Sequence, residues 1–590
     1  MMNDLVSIFH ASFHPTKGNV IDWSVKASED LNIDNLEFSA LPSGLHLVEQ
    51  DTIYFSKDGH QGVCAFRRVK STEEGHRGFR LSSLGVLLAK STRPKPWRHV
   101  PALKELMTML YARMELTDTL QPSDADWLPS RSYFEEHKLN SADLGGAGDW
   151  TGWSHELDGE NRDPSNINPT LHLPHLLRIL GPSTLTLYKH VIGRKRILIY
   201  TLPPVEAACI LCHVAADLCY EQQVDTNSNR LPGKSKEGIN VLGMITLSDV
   251  DRLQAESRSG RGWIGCTTDA IFLERPSYYD LLIDLTTSTP NKVTRPTFYS
   301  SRLIASLQPS PSRGPTYLLS TIRFAWSDVK LWNELDRILQ LDSSNCHSSN
   351  SSCCTPGFSG ISDQKSKLIT TWTDVWRVYE DVCLVCAGLW IGSWRGNSLQ
   401  SYSTSNGAEN WGSVKLEGDD DLTLNSISGI DEGGQIRSLG AGIEGRPSSS
   451  SPMRETGGMF IRPRNAAGSK YTPQSSSTDA DVDHAEFSTL EDSVHDDMQL
   501  RTTLALLQTF HAHTLFRLST LESLLPPPNE RSNKTISLVP KDILALELGP
   551  FSSVDEKYLE WLVLEYGGGT TLVVKRGWKD LFGIVFGYGY

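Results

Sequence analysis

The sequence predicts an α/β protein in three parts: a β-rich N-terminal lobe, a central α/β lobe, and a helical C-terminal portion carrying a long insert without a core. Three observations predict it. Residues 4–90 hold short apolar runs separated by turn signals. Residues 173–206 pass from helix through a Gly-Pro break to a second helix and a buried strand. Residues 396–499 then shift to Ser, Gly and Asp, a composition that buries too little apolar surface to fold. At 590 residues the chain exceeds what one hydrophobic core organises, which implies two or three domains.

Leu5, Ser7 and Phe9 begin the first strand, Gly18-Asn19 supplies a turn, and residues 20–25 return. Residues 53–55, 62–69 and 79–89 read as further strands. A helix over 97–116 follows, with Leu103, Leu106, Met107, Leu110, Tyr111 and Met114 on one face, so it covers the sheet. Residues 140–168 are rich in Gly, Asp and Asn and mark a boundary.

In the central lobe, Gly181-Pro182 interrupts a helix because proline lacks the amide proton and restricts the residue before it. Leu185, Tyr188, Lys189 and Ile192 then recur at helical spacing. Arg194-Lys195-Arg196 follow the turn at Gly193, Ile197–Tyr200 make a buried-strand run, and Pro203-Pro204 open an apolar helix reaching about Tyr220. Residues 225–238 form a polar loop, and 286–315, rich in Ser, Thr and Pro, read as a linker.

A helix is predicted near 327–341, then a Ser-rich stretch without structure over 342–366. The helix over 367–390 carries the apolar stripe Trp372, Val375, Trp376, Tyr379, Cys383, Cys386 and Trp390. Beyond the insert, helical signal resumes over 501–525, stops at Pro526-Pro527-Pro528, and returns over 540–547 and 554–566. The apolar, aromatic C-terminus over 570–590 reads as docking onto the body.

The net charge is −14, which disfavours a general nucleic-acid-binding surface. Much of it sits in the insert, where 17 Asp/Glu face 7 Lys/Arg. The N-terminus lacks a basic region and carries Asp4, a poor signal peptide. No run reaches the roughly eighteen apolar residues of a membrane span. The chain therefore reads as cytoplasmic, with its ten cysteines reduced.

No enzyme site emerges. Cys209-Ile210-Leu211-Cys212-His213 spells a haem-attachment pattern, but without an export signal and within an apolar helix it reads as core thiols. Cys383 and Cys386 lie mid-helix, unlike the turn-borne pairs of zinc sites. Residues 228–235 resemble a phosphate loop lacking its first glycine, and Pro232 removes an amide donor. His511 and His513, two apart on a helix, point to different faces. Asp249 and Asp251 read as a helix start. The sequence calls for no cofactor and no metal.

One cluster stays open. Lys189, Arg194, Lys195 and Arg196 serve either to cap the helix end and pair with local carboxylates, or to contact an acidic or phosphate-bearing partner.

The order and spacing of residues 173–206 resembles the central module of DENN-domain proteins. Phe13-His14-Pro15-Thr16-Lys17-Gly18-Asn19-Val20-Ile21-Asp22-Trp23, then Glu37-Phe38-Ser39-Ala40-Leu41-Pro42-Ser43-Gly44-Leu45-His46, then Asp51-Thr52-Ile53-Tyr54-Phe55 resemble the opening of that family's LCHN-type branch, as a fungal-like member. Residues 241–285 add LSDVDRL, GCTTDAIF and Tyr279-Asp280-Leu281-Leu282-Ile283-Asp284 in the family's order. The resemblance implies a longin-like N-terminal DENN lobe over 1–135 and a central α/β DENN lobe over 168–290. It also implies a helical C-terminal portion over 316–395 and 500–590, split by the disordered acidic insert over 396–499.

It further implies a guanine nucleotide exchange factor for a Rab-type small GTPase in vesicle traffic, recruited to endomembranes and performing no covalent chemistry. The alternatives are a non-exchanging scaffold of the same fold or a GTPase-activating protein. Lys189, Arg194, Lys195 and Arg196 are the candidates for GTPase contact, chosen for their charge because the family's contacts form a surface rather than a motif.

Overall fold

The computed structural model of the chain describes residues 3–70, 78–91, 93–117, 122–139, 152–157, 168–219, 238–287, 295–304, 316–348, 414–416, 483–531 and 534–575. These residues build a mixed α/β fold on one large sheet of twelve strands. Its antiparallel half contains β1 (Leu5–His14), β2 (Gly18–Lys26), β3 (Gln50–Lys57), β4 (His60–Lys70) and β5 (Phe79–Leu88), in the order β3-β4-β5-β1-β2. Each strand expected here from alternation is present. The turn before β2 falls at residues 15–17, just ahead of Gly18. The short helix α1 (Leu36–Ala40) and the long α2 (Val100–Thr117) cover this half, α2 burying Leu103, Met107, Leu110 and Met114 as its spacing predicted. Further along lie α3 (Leu128–His137) and α4 (Trp153–Leu157).

The second half begins at α5 (Leu173–Leu180) and α6 (Thr184–Ile192), which Gly181-Pro182 separates. Every residue of α6 is buried, polar ones included. Then come β6 (Arg196–Tyr200), α7 (Glu206–Ala216), β7 (Asn240–Met244), α8 (Val250–Ser259), β8 (Trp263–Thr267) and β9 (Leu281–Asp284). The strands β7-β8-β6-β9 run parallel and are almost wholly buried, as strands covered on both faces must be. Burying each Leu, Ile or Val there stabilises the fold by roughly 1.5–3 kcal/mol.

Residues 286–315 are not simply a linker. Within them, β10 (Thr297–Ile304) pairs antiparallel with β9 on one side and with β11 (Thr316–Thr321) on the other. The helical C-terminal portion therefore opens with a strand, followed by α9 (Val329–Ser348), which continues into a stretch expected to lack structure. Two further elements fall within the expected insert. β12 (Val414–Leu416) pairs parallel with β11, and α10 (Asp483–Leu524) starts ahead of residue 501. The remaining 349–413 and 417–482, with the helix expected over 367–390 and its Cys383 and Cys386, lie outside the described residues, as do 228–235 and 576–590. The C-terminal portion ends with β13 (Thr535–Leu538), α11 (Pro540–Ala545), α12 (Ser553–Tyr566) and β14 (Thr571–Val574), the two strands pairing parallel with each other.

The two halves of the large sheet join at one residue pair, Phe55 with Gly243. Gly243 holds φ +66, and a Cβ there would lie 2.3 Å from the Tyr54 carbonyl oxygen, so the junction closes only on glycine. Other bonds tie the halves. The Asp51 carboxylate accepts from the amides of Val205 (2.7 Å) and Glu206 (3.1 Å), so β3 caps the start of α7. Gln61 donates to the Val241 carbonyl at 2.7 Å.

Candidate functional site

The carboxyl ends of β6, β7 and β8 lead into turns that meet the antiparallel half along a seam. Ser43 Oγ donates to Asp269 Oδ1 at 2.7 Å across it. A Cβ on Gly44 would reach within 3.1 Å of the Pro203 ring, so these turns touch. Burial raises the Asp269 pKa, and bonds from Ser43 and the Leu247 amide oppose that rise. Around this bridge stand Leu202, Leu247 and Ile271, all exposed, with Leu47 one turn beyond Gly44. A hollow of about 220 Å³ opens beside it, lined by Phe13, Asn19, Leu41 and His46 among others. Exposed apolar side chains gathered around a polar bridge suit protein docking rather than covalent chemistry. The carboxyl edge of parallel strands is also where open α/β sheets bind their ligands.

Nothing in composition or charge singled out these residues. Ser43, Leu247, Asp269 and Ile271 nonetheless lie in the strings that carry the family resemblance, which was the available signal.

The basic cluster sits elsewhere, and its four members part company. Lys189 is 2% exposed and lies 2.7 Å from both Asp328 Oδ1 and Asp555 Oδ1. Burial opposes its charge, but the two carboxylates outweigh it and hold its pKa above the ordinary value. Asp555 also accepts from Ser327 Oγ (2.7 Å) and the Gly549 amide (2.9 Å). Burial works against its charge as well, and Lys189 still brings its pKa down. Arg194, also buried, reaches Glu565 at 3.0 Å. It adopts φ +49, so the chain leaves α6 turning towards α12. Gly193 allows the approach, since a Cβ there would meet Trp561 at 2.9 Å.

These contacts fasten the C-terminal helices to the central lobe. Of the four candidates for partner contact, Lys189 and Arg194 are buried and engaged in internal ion pairs. Lys195 and Arg196 remain half-exposed. Arg196 grips Asp280 through Nη2 (2.7 Å) and Nε (3.1 Å), and Lys195 Nζ lies 4.8 Å from the Trp561 ring centroid. Pairing with carboxylates is thus what three of the four do, although their partners are distant in sequence.

The motifs set aside as core behave so. Cys209 and Cys212 are buried, and Cys209 Sγ sits 3.6 Å from Cys266 Sγ. Burial raises Cys209 and Cys212, and at Cys266 the bond with Cys209 is outweighed by the bond with Cys212 and by burial, so all three thiols stand above the ordinary value and are poor nucleophiles. Thr246 and Asp249 form a capping box ahead of α8, the helix start expected from the paired carboxylates. Among the described residues no group of His, Cys, Asp and Glu could hold a metal, and no helix is long and apolar enough to cross a membrane.

Residues 8–295 match the family model for DENN domain-containing protein 11. The chain is 25% identical to DENN domain-containing protein 11 of Rattus norvegicus over 303 residues, covering 48% of this chain and 58% of that protein. It is 26% identical to the Danio rerio protein of the same name over 296 residues, covering 48% of this chain and 54% of that one. The protein ANR2 of Saccharomyces cerevisiae is 25% identical over 322 residues, 48% of this chain and 58% of its own length. The chain thus spans little more than half the length of the curated relatives it matches. The matched span takes in the seam and both halves of the sheet as far as β9.

Proposed function

We propose, from the match of residues 8–295 to the family model for DENN domain-containing protein 11, that the chain is a DENN-type exchange factor for a Rab-family small GTPase in membrane traffic. The GTPase docks on the seam. The observation that carries this reading is the exposed set Leu202, Leu247 and Ile271 of the parallel half around the Ser43–Asp269 bridge, with Ser43 and the exposed Leu47 contributed by the antiparallel half. A surface shared by two halves can hold a partner's flexible segments in one arrangement.

The mechanism is linkage. A protein that binds the nucleotide-free GTPase more tightly than the loaded form must weaken nucleotide binding by the same factor. No bond to nucleotide is made or broken by this chain. Its work is to keep the partner's switch segments away from magnesium and phosphate, so that GDP leaves and cellular GTP enters.

The test is release of fluorescent GDP from a panel of purified Rab GTPases, with wild-type chain and with Leu247→Asp and Ile271→Asp. Acceleration on one or two members, lost in both variants with the fold intact, is the expected result. Binding of nucleotide-free GTPase without release would make the chain a scaffold. Faster hydrolysis would make it an activating protein. Release that survives both substitutions would move the docking surface away from the seam.

A further inference from the structure

We infer that the carboxyl edge of the parallel strands carries a guanidinium-binding site, built by Tyr200, Asp269 and Asp284, which the docked GTPase fills with an arginine side chain. The inference rests on the docking reading above and names what the partner must bring to the seam. Strand register gathers the three residues. Tyr200, the last residue of β6, pairs with Asp284 of β9 on one side and with Thr267 of β8 on the other. Neighbouring strands lie about 4.8 Å apart, and register partners point to the same face. The Thr201 amide donates to the Thr267 carbonyl (3.0 Å), and the Asp269 amide donates to Thr267 Oγ1 (3.1 Å), so Asp269 flanks the β8 side. Beyond β9, β10 sets Thr297 opposite Asp284 and Tyr299 opposite Leu282, which turns the Tyr299 ring to the same face.

The two carboxylates are bonded but not neutralised. Asp269 accepts from Ser43 Oγ (2.7 Å) and the Leu247 amide. Asp284 accepts from the Thr286 amide (2.9 Å) and hydroxyl (2.6 Å). Among the described residues no Lys, Arg or His acts on either. Other carboxylates nearby are spoken for. Asp249 has Arg252 at 3.1 Å, and Asp51 is taken up by the amides of Thr52, Val205 and Glu206. Burial raises the pKa of both Asp269 and Asp284 against the bonds they accept. Tyr200 is 5% exposed, and its hydroxyl has no hydrogen-bond partner among the described residues. Burial raises its pKa, and Asp284 and Asp269 push the same way, so both carboxylates act on that hydroxyl.

Such an edge is costly to cover with apolar surface alone. When a partner closes over Leu202, Leu247 and Ile271, water leaves the two carboxylates, and a charge stripped of water needs its opposite. The partner must therefore supply a cation. Arginine suits the place better than lysine. Its planar fork offers five donors, enough for two carboxylates and the Tyr200 oxygen, and it stacks on aromatic faces such as those of Tyr200 and Tyr299.

The experiment uses the full chain, with Asp269→Asn, Asp284→Asn and Tyr200→Phe. Asparagine keeps an oxygen for the present bonds and removes the charge. Glu135→Gln, at an exposed carboxylate on α3, controls for net charge. Binding of nucleotide-free GTPase and release of fluorescent GDP are measured over a panel of purified Rab GTPases. On a member that wild type engages, each Asp variant should bind at least about tenfold more weakly, because half of a desolvated charge pair is lost. Tyr200→Phe should weaken binding about two- to tenfold through one hydrogen bond, and Glu135→Gln should leave it unchanged. If one Asp variant melts below wild type, the other and Tyr200→Phe carry the test. Release that Leu247→Asp abolishes and both Asp variants retain overturns the inference and leaves the docking reading standing. An equal loss in Glu135→Gln overturns it too, since general charge then explains the effect. Wild type that neither binds nor accelerates any member sinks the docking reading, and the inference with it.

Discussion

Replacing Lys189 by methionine isolates what holds the C-terminal helices to the central lobe. Lys189, Asp328 and Asp555 are each no more than 2% exposed, and Arg517, over the Tyr558 ring, is the second buried cation of the group. Two carboxylates are thus balanced by two cations. Lys189→Met keeps the apolar stem and leaves two carboxylates facing Arg517 alone, so one buried charge loses its compensation. Breaking a buried pair in this way costs about 3–5 kcal/mol. Asp555→Asn alone should cost a similar amount through the opposite imbalance. Combined, the two substitutions restore neutrality, and the pair should recover at least about 2 kcal/mol relative to the sum of the singles. The assay is native-state hydrogen exchange of the amides of α12, read beside the denaturant midpoint, because the helix can detach without global unfolding. A loss below about 1 kcal/mol for Lys189→Met, or strict additivity in the double variant, would refute the charge-balance argument.

Other perturbations follow from the same contacts. Gly243→Ala places a Cβ 2.3 Å from the Tyr54 carbonyl oxygen at a positive φ, and should cost at least about 2 kcal/mol in denaturant melts. Asp51→Ala removes the cap that β3 supplies to α7, and a loss of about 1–2 kcal/mol is expected in the same measurement. Acid should destabilise the fold before the carboxylates titrate. Burial lowers His190 to about 4, and burial with Arg517, Lys189 and Lys330 lowers His513 to about 2. The unfolded chain takes up protons below the ordinary histidine pKa while these two stay neutral. Stability is therefore present above about pH 6.5 and falls as pH drops, by about 2 kcal/mol per histidine at pH 5. A His513→Gln variant should show a shallower loss between pH 6.5 and 5, and an unchanged slope would count against the assignment.

Local chemistry made much of this fold legible. Gly181-Pro182 marked the break between α5 and α6, and the apolar run Ile197–Tyr200 proved to be β6. What stayed hidden depends on partners far along the chain. β10 reads as linker because Ser, Thr and Pro dominate its surroundings, and it becomes a strand by pairing on both sides with β9 and β11. The site shows the same divide. Lys189 lies on an apolar helical face, so burial could be anticipated, but its carboxylate partner Asp555 is 366 positions away. The seam residues carry no chemical signature of their own. Leu247 and Ile271 are ordinary leucine and isoleucine until the turns after β7 and β8 leave them facing solvent.

The position of α12 separates the buried latch from the seam. Asp555, near the start of that helix, meets Lys189 of the central lobe. The seam is built from the loop that carries Ser43 and the turns after β6, β7 and β8, none of which holds a residue of the latch. Lys189→Met should therefore loosen α12 in hydrogen exchange and leave GTPase binding at the seam unchanged. GTPase binding lost in that variant, with the sheet body still protected, would show that α12 also shapes the docking surface.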